Sequence, residues 1–285
     1  PAVDDRGGET FLYTGTGGET LPGNIVKLNL ATFEEVWHVS SAPPASPDDK
    51  KSLQGKGFTA SPLLVDLDGD GAFEVIEAGM NGGVYCLSAV DGSRRWTYLD
   101  EVCEAYSSPA VGAFGGDETR DVIASFSRGI YPDYENAVLL WLDGRTGSVL
   151  HRKQFDPPHH SNSSSPLVLD ANHDGKDEVL IVLSHASQNE PKAGNRMLMF
   201  DGGRDKRPVL DLTIPGYSAT TPYLGDLDGN GFLDIVHVSG KECIRLQVHV
   251  EIDHPEGKRE VMPRVKWGQF RGPDGRGVDH AGSRS

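Results

Sequence analysis

The chain is short of the features that mark membrane, nucleic-acid-binding and disulfide-rich proteins. It has no apolar run of the roughly 18 residues that a membrane-spanning helix needs. Its net charge is −15 and it has no basic run, which argues against a nucleic-acid partner. Of its three cysteines, none has Cys-x-x-Cys spacing, so the usual zinc and haem motifs are excluded. Cys86 and Cys103 are left as either a disulfide or two buried thiols.

Helical periodicity and catalytic motifs are also missing. No amphipathic helical stretch of useful length occurs. The sequence has no Gly-x-Ser-x-Gly, no phosphate-binding loop and no His-Glu-x-x-His. These absences favour a binding protein over an enzyme.

The chain does contain one acidic pattern that occurs three times. Oxygen-bearing side chains fall at positions 1, 3, 5 and 9 of each copy, with glycine at position 6. Ca²⁺ takes six to eight oxygen ligands and tolerates irregular geometry, and a backbone carbonyl at position 7 adds one more. We therefore predict about three Ca²⁺ ions. Their ligands would be Asp66, Asp68, Asp70, Ala72 and Glu74; Asp170, Asn172, Asp174, Lys176 and Glu178; and Asp226, Asp228, Asn230, Phe232 and Asp234.

Each acidic loop occupies a fixed place in a longer repeat. A proline preceded by Ser or Thr stands four residues before the loop, at Pro62, Pro166 and Pro222, and Pro109 and Pro1 begin further copies. Repeats of roughly 50–60 residues indicate propellers or solenoids. The Pro109 copy has Ala113 and Gly115 at positions 1 and 3, and the Pro1 copy, with Asp5, Gly7 and Glu9, is equally eroded, so we expect no ion in either.

Within a repeat, four short apolar runs bounded by Gly and Asp predict four antiparallel strands, which make one propeller blade. We predict an all-β propeller of one domain, residues 1–285, with repeats 1–61, 62–108, 109–165, 166–221 and 222–285. The fourth strand is expected to carry Trp37, Trp96, Leu150 or Leu210.

The Ser-Pro-x-x-x-Asp-x-Asp-Gly-Asp-Gly-x-x-Glu-Val run resembles the FG-GAP/VCBS (integrin α-type) propeller repeat. The run Gly83–Trp96 resembles the repeat of pyrroloquinoline-quinone (PQQ) propellers. The resemblance covers nearly the whole chain and implies a calcium loop in the hairpin between the first two strands of a blade. It is nearly silent about activity.

Five repeats are visible, which suits a five-bladed ring or part of a larger propeller. In the five-bladed reading, the segment Trp267–Gly277 would supply a strand to the first blade.

The residues before each repeat proline are expected to surround one mouth of the central channel. Among them, Phe58, Tyr106, His159 and Tyr217 either bind a sugar or peptide, or pack between blades. We predict a non-catalytic, calcium-binding module that contacts a protein or glycan ligand at the cell surface, outside the cell or in the periplasm. The alternative is a propeller enzyme, either a polysaccharide lyase using His159, His160 or Lys241, or a quinone-dependent dehydrogenase.

Overall fold

The computed structural model describes residues 1–41, 55–100, 103–116, 119–131, 133–155, 160–161, 163–185, 194–202, 208–214, 216, 219–240, 242–255, 257–267 and 278–279. These residues form β-strands joined by turns, together with a 3-10 turn at Arg6–Gly8. Within these ranges there is no helix of the length and apolarity needed to cross a membrane.

The strands form successive antiparallel sheets, each built from neighbouring segments of the chain. The first blade contains β1 (Ala2–Asp4), β2 (Phe11–Gly15), β3 (Asn24–Asn29) and β4 (Glu35–Ser40). The second contains β5 (Leu63–Val65), β6 (Glu74–Ala78), β7 (Gly83–Ser88) and β8 (Arg94–Leu99). The third contains β9 (Cys103–Glu104), β10 (Ala110–Gly112), β11 (Asp121–Ile130), β12 (Asp133–Leu142) and β13 (Val149–Gln154), with β9 paired to the far end of β11.

The fourth blade repeats this arrangement, and the fifth departs from it. The fourth contains β14 (His160–Ser161), β15 (Leu167–Asp170), β16 (Glu178–His185), β17 (Asn195–Phe200) and β18 (Pro208–Ile214). The fifth sheet has three strands in the described residues, β19 (Tyr223–Gly225), β20 (Leu233–Ser239) and β21 (Glu242–Val248). The next strands, β22 (Val250–His254) and β23 (Gly257–Val261), pair with each other instead of completing that blade.

The middle blades are apolar on both faces, and the cores lie between neighbouring blades. One buried cluster joins the second, third, fourth and fifth blades and includes Ile76, Trp141 and Phe200. A second cluster joins the first and second blades and includes Tyr13 and Tyr85. Four-stranded antiparallel sheets stacked face to face in this way form a β-propeller, so the predicted fold class is confirmed.

Near the starts of the inner strands, one hydrogen bond is repeated from blade to blade. The amide of Ser61 donates to the hydroxyl of Ser108 (3.1 Å), the amide of Ser108 to that of Ser165 (3.0 Å), and the amide of Ser165 to that of Thr221 (2.9 Å). These are the residues before the repeat prolines. Their hydroxyl groups therefore satisfy a backbone N–H of the preceding blade, which would otherwise be left without a partner.

Two tryptophans of the outermost strands dock on the neighbouring blade. Trp37 lies against Gly92, and Trp96 lies against Gly147 while its indole N–H donates to Gly144 O (2.8 Å). The strand register places His151, rather than Leu150, at the equivalent position of the third blade. Leu150 and Leu210 lie in the outermost strands of their blades, as predicted. The register nevertheless shifts within each outermost strand of the first four blades, and in the third blade this shift puts His151 at the position that Trp37 and Trp96 occupy.

The chain after the hairpin β22–β23 lies along inner strands of other blades. β24 (Arg264–Trp267) pairs antiparallel with β15 of the fourth blade, and β25 (Val278–Asp279) pairs parallel with β5 of the second. The backbone of Trp267 thus joins the fourth blade rather than the first, which already has four strands of its own. The expected strand for the first blade is therefore not found at Trp267, and residues 268–277 lie outside the described part.

All three cysteines are free thiols. Cys86 and Cys103 are buried, and burial raises the pKa of both, to about 12 for Cys103. The disulfide alternative is therefore not the one that the structure adopts.

The docking of Trp96 predicts the effect of adding one methyl group at Gly147. A Cβ there would lie 2.6 Å from the Trp96 ring, and the residue has φ +71°. Gly147→Ala should lower the free energy of unfolding by about 2 kcal/mol or more, from overpacking and backbone strain together. Gly116→Ala is the matched control, because its φ is +84° and nothing lies within 4 Å of its added Cβ. Urea unfolding that gave the two variants equal losses would contradict the docking role.

Candidate functional site

The three acidic loops lie at one side of the propeller, each between the first and second strands of its blade. We call them the second-blade hairpin (66–74), the fourth-blade hairpin (170–178) and the fifth-blade hairpin (226–234). Each begins where an inner strand ends, and its position 9 begins or lies within the next strand. The location within the blade is the one that the repeat pattern predicts.

The second-blade hairpin brings three carboxylates together. Oxygens of Asp66, Asp68 and Glu74 lie within 4.8 Å of one another. Asp66 accepts the amides of Gly69 (2.7 Å) and Gly71 (3.0 Å), so the loop is wrapped around its first carboxylate. Glu74 Oε1 is buried and accepts no aligned hydrogen bond from the described residues, although the Arg95 guanidinium lies 3.1 Å away.

The fifth-blade hairpin has the same shape. Oxygens of Asp226, Asp228 and Asp234 also lie within 4.8 Å of one another. Asp226 accepts the amides of Asn230 (3.0 Å) and Gly231 (2.8 Å). The difference lies in a basic neighbour on β21, Arg245, which contacts both Asp228 and Asp234.

The fourth-blade hairpin is arranged differently. No three acidic groups come within that distance there, among the residues that the structure describes. Asp170 is 2% exposed; its Oδ1 has no hydrogen-bond partner in the described chain, and its Oδ2 lies 3.7 Å from Arg264 of β24. His173, which has a positive φ of 62°, approaches the carbonyl oxygen of Met262 at 2.8 Å. The chain leading into β24 therefore lies against this hairpin.

Positions 5 and 7 form the same turn in all three hairpins. The amides of Ala72, Lys176 and Phe232 donate to the side chains of Asp70 (2.7 Å), Asp174 (2.8 Å) and Asn230 (2.9 Å). A side-chain oxygen that accepts the amide two residues on is a common turn-forming contact for Asp and Asn. This contact uses the N–H of position 7 and not its carbonyl oxygen. The carbonyl oxygen is the backbone ligand that the calcium-loop pattern predicts.

Position 9 has a structural role that the sequence analysis missed. Its carboxylate accepts the amide of loop position 2: Glu74 from Leu67 (3.1 Å), Glu178 from Ala171 (2.6 Å) and Asp234 from Leu227 (3.0 Å). Burial raises the pKa of Glu74 and that of Glu178, the latter to about 7. The hydrogen bonds from Arg245 lower the pKa of Asp234. One oxygen of each group therefore closes the hairpin. The other oxygen lies 3.1 Å from Arg95 in Glu74, accepts the amide of Gly202 (3.5 Å) in Glu178, and accepts Arg245 Nε (2.8 Å) in Asp234.

The third blade keeps this clamp while lacking the acidic positions 1 and 3. Asp121 accepts the amides of Phe114 (3.1 Å) and Gly115. Asp117, the other acidic residue of this loop in the sequence analysis, lies outside the described residues. The same loop supplies Arg120, a half-buried cation whose pKa is lowered by burial, an effect that the charges of Asp177 and Asp66 oppose. This loop therefore adds a positive charge between two acidic neighbours. In the first blade, Glu9 accepts a hydrogen bond from Asn29 (3.3 Å).

Polar and aromatic side chains gather at the opposite side, where the inner strands begin. We call this surface the mouth and define it by Glu19, Leu21, Lys56, Glu104, Tyr106, Tyr131 and Tyr134. Glu104 is fully buried and pairs with Lys56, which is 8% exposed. The Tyr134 hydroxyl lies within hydrogen-bonding distance of Glu104 and of the Tyr106 hydroxyl (2.7 Å).

The mouth also has an outer, accessible part. The Tyr106 hydroxyl donates to Glu19 (3.1 Å), and the Tyr131 ring packs edge-on against Tyr134. Tyr131 is 59% exposed and Leu21 is 66% exposed. Burial raises the pKa of Tyr106 and of Tyr134, so both hydroxyls remain protonated donors.

Glycines fix the frame of the mouth. A Cβ at Gly23 would lie 1.8 Å from Thr16 O, and a Cβ at Gly57 would lie 2.5 Å from the same atom. The amides of Gly57 and Phe58 donate to the carbonyl oxygens of Gly18 (2.8 Å) and Thr16 (2.9 Å). The loop between β2 and β3 is thus packed backbone-to-backbone against the chain that enters β5.

The aromatic residues predicted at the mouth divide between the two roles expected of them, ligand binding and packing between blades. Phe58 is 3% exposed and packs against Tyr85, with ring centroids 5.3 Å apart, so it belongs to the core. Tyr106 is partly exposed and belongs to the mouth. His159, Tyr217 and Lys241 lie outside the described residues. His160 is placed only by its backbone pairing with His185.

Comparisons with known proteins identify the fold and not a family. No protein-family model matches the chain. No curated protein matches it in sequence either. The FG-GAP resemblance therefore stays a prediction.

Several solved β-propellers are similar in structure. The C-terminal domain of Pseudomonas aeruginosa PilY1 is 14% identical, with a TM-score of 0.54, over 94% of this chain and 59% of that one. A europium-containing methanol dehydrogenase is 11% identical, with a TM-score of 0.51, over 93% and 62%. Saccharomyces cerevisiae Sqt1 is 12% identical, with a TM-score of 0.51, over 90% and 58%. The chain spans less than two thirds of each of these structures, and at such identities they share its fold alone.

The buried pair in the mouth predicts a charge-dependent loss of stability. Lys56→Met leaves the Glu104 carboxylate without its cation and should lower the free energy of unfolding by about 3–5 kcal/mol. The double variant Lys56→Met/Glu104→Gln has no unpaired charge and keeps an acceptor for Tyr134, so it should lose clearly less. Urea unfolding of both at neutral pH measures the difference. Equal losses would show that Lys56 acts through packing.

Proposed function

We propose that the chain is a non-catalytic, calcium-binding β-propeller that presents its mouth to a protein or glycan ligand. The observation that carries the calcium part is the second-blade hairpin, in which oxygens of Asp66, Asp68 and Glu74 converge within 4.8 Å. All the predicted side-chain donors are oxygens, the ligand type that Ca²⁺ prefers. The FG-GAP-type spacing of the loop supports the same ion.

Buried oxygens without partners are a second support. A buried polar atom with no hydrogen bond is costly, and a bound cation removes that cost. Asp170 Oδ1 is such an atom, and Glu74 Oε1 has no aligned hydrogen bond although the Arg95 guanidinium lies 3.1 Å away; each belongs to a predicted ligand. The residues therefore fit a hard cation at the second-blade and fourth-blade hairpins, and the geometry of the fifth-blade hairpin fits one as well.

The ion's role in this proposal is structural. Clustered carboxylates repel one another, and a divalent cation converts that repulsion into attraction. A ligand that binds only the folded state stabilises it by about 2.7 kcal/mol at a hundredfold excess over Kd. Sites of modest affinity are filled where calcium is millimolar, so we place the protein at the cell surface, outside the cell or in the periplasm.

Chelation tests the calcium proposal. EGTA should lower the Tm of the wild-type protein by several degrees relative to millimolar Ca²⁺, since each kcal/mol corresponds to about 2–4 °C in a domain of this size. Asp66→Asn/Asp68→Asn should reduce that calcium-dependent shift.

Asp91→Asn is the control, because Asp91 lies in an exposed Asp-Gly turn outside the hairpins and accepts the amide of Ser93 (3.0 Å). Its calcium-dependent shift should equal that of the wild type. A wild-type Tm that is the same with EGTA and with Ca²⁺ would count against all three sites.

The mouth is the surface that we assign to the ligand. Flat, exposed aromatic rings beside fixed hydrogen-bonding groups suit sugars and peptides, because they combine apolar contact with polar contacts of defined direction. Tyr131 offers such a ring beside Tyr134, with Glu19 and Tyr106 as the polar groups. The glycine-packed frame holds the loop that carries Glu19 in place before a ligand arrives.

Binding by wild-type protein and two aromatic variants tests this assignment. Tyr131→Ala should weaken binding to the positive spots of a glycan or peptide array about tenfold. Phe33→Ala should not, because Phe33 is 80% exposed but lies in the turn between β3 and β4, at the other side of the blade. The reverse pattern would move the ligand surface to the opposite side of the propeller.

The alternative is a propeller enzyme, and one feature favours the quinone class. Trp37 and Trp96 dock on glycines of the next blade, in the repeat that resembles PQQ propellers. Against it, β24 and β25 lie along inner strands beside the axis, where they compete for space with a central cofactor. Dye reduction after reconstitution with the quinone would support a dehydrogenase, and cleavage of pectin-type polymers would support a lyase.

A further inference from the structure

The fifth-blade hairpin contains a cation of its own. Arg245 lies on β21 and holds Asp234 with two nitrogens, Nε to Oδ1 at 2.8 Å and Nη2 to Oδ2 at 2.9 Å. The same Nη2 lies 2.5 Å from Asp228 Oδ2. One guanidinium therefore bridges two of the three carboxylates that converge there.

The other two hairpins have a weaker contact of this kind. Arg95 lies 3.1 Å from a single carboxylate, Glu74, and does so without an aligned hydrogen bond. Arg264 lies 3.7 Å from a single carboxylate, Asp170. Two-nitrogen contact with a carboxylate is the strongest arrangement that arginine offers, and in the described residues it occurs at a hairpin only through Arg245.

A calcium ion at this hairpin would need the same oxygens. Asp228 and Asp234 provide two of the three converging groups, and Asp234 already gives one oxygen to the amide of Leu227. Two cations within a few ångströms repel each other, so the guanidinium has to withdraw or share its oxygens when the ion arrives. Calcium binding there includes the loss of hydrogen bonds from Arg245 to two carboxylates, whereas the second-blade hairpin has only the single contact of Arg95 with Glu74 to lose.

We propose that Arg245 is an internal cation that competes with Ca²⁺ for Asp228 and Asp234. It makes the fifth-blade hairpin the weaker calcium site and holds that hairpin closed when calcium is scarce. This inference rests on the proposed calcium function. It predicts that the hairpins bind calcium over different ranges of calcium concentration, with the second-blade site filled at lower concentrations than the fifth-blade site.

The test isolates the fifth-blade hairpin and then removes the arginine. In the Asp66→Asn/Asp170→Asn background, calcium binding is measured by isothermal titration calorimetry with Ca²⁺ alone. Adding Arg245→Met should lower Kd about three- to tenfold, the range implied by the loss of one or two partly exposed ion pairs. In EGTA the same substitution should lower Tm, because the carboxylates then have neither cation.

Arg196→Met is the matched control. Arg196 makes a comparable two-nitrogen pair with Asp211 (2.8 and 2.5 Å) on the fourth blade, away from the hairpins. It should leave calcium affinity unchanged. Arg245→Gln, which keeps a hydrogen-bond donor and removes the charge, should act as Arg245→Met does, and circular dichroism checks that both fold.

The outcomes separate the two claims. Wild-type protein that binds no Ca²⁺ overturns the calcium function and this inference with it. Binding by the wild type with an unchanged or higher Kd in the Arg245 variants overturns the inference alone. Absence of binding at the isolated hairpin, with and without Arg245, also overturns it.

Discussion

The second, third and fourth blades of this propeller have two apolar faces, and the rest of the structure depends on covering both. A single four-stranded sheet with such faces has no stable form in water, so the blades are stable only against one another. The buried clusters accordingly lie between blades and not within them. The Ser and Thr hydroxyls before the repeat prolines add a polar tie at the crowded inner end, where the backbone amides of one blade meet the next. Apolar packing thus supplies the stability, and the hydroxyl groups fix the spacing.

The repeats made the blades predictable, because each apolar run has only one partner in a simple antiparallel order. The inner strands, the turns and the position of the acidic hairpins follow from that order. The fourth strand of the third blade carries Leu150 as predicted, but the sequence did not show that a register shift puts His151 at the position of Trp37 and Trp96. The three-stranded fifth sheet was not foreseen either, since the alternating residues after Val248 suit a hairpin as well as a fourth strand.

The ligand sets were predicted from the spacing of residues within each loop. That spacing carries no information about the residues that other parts of the chain bring close to the loop. Asp66 and Asp226 sit as their spacing implies, with loop amides around them. Asp170 does not, because the chain entering β24 contacts the hairpin at His173 and brings Arg264 to within 3.7 Å of Asp170. Arg245 is eleven residues from Asp234 in the chain, and only the pairing of β20 with β21 brings the two side chains together. Such residues determine the electrostatics of a site, but they lie outside the loop motif and so cannot be found from it.

The glycine frame beneath the mouth separates residues that must stay from residues that are open to change. Gly23 and Gly57 have no room for any side chain, so the loop path is the same whatever surrounds it. Leu21 projects into solvent from that loop, and Tyr131 from the turn between β11 and β12, and substitution of either side chain costs little stability. Evolution can therefore replace these exposed side chains one at a time and change which ligand the surface binds, while the backbone that positions them stays the same.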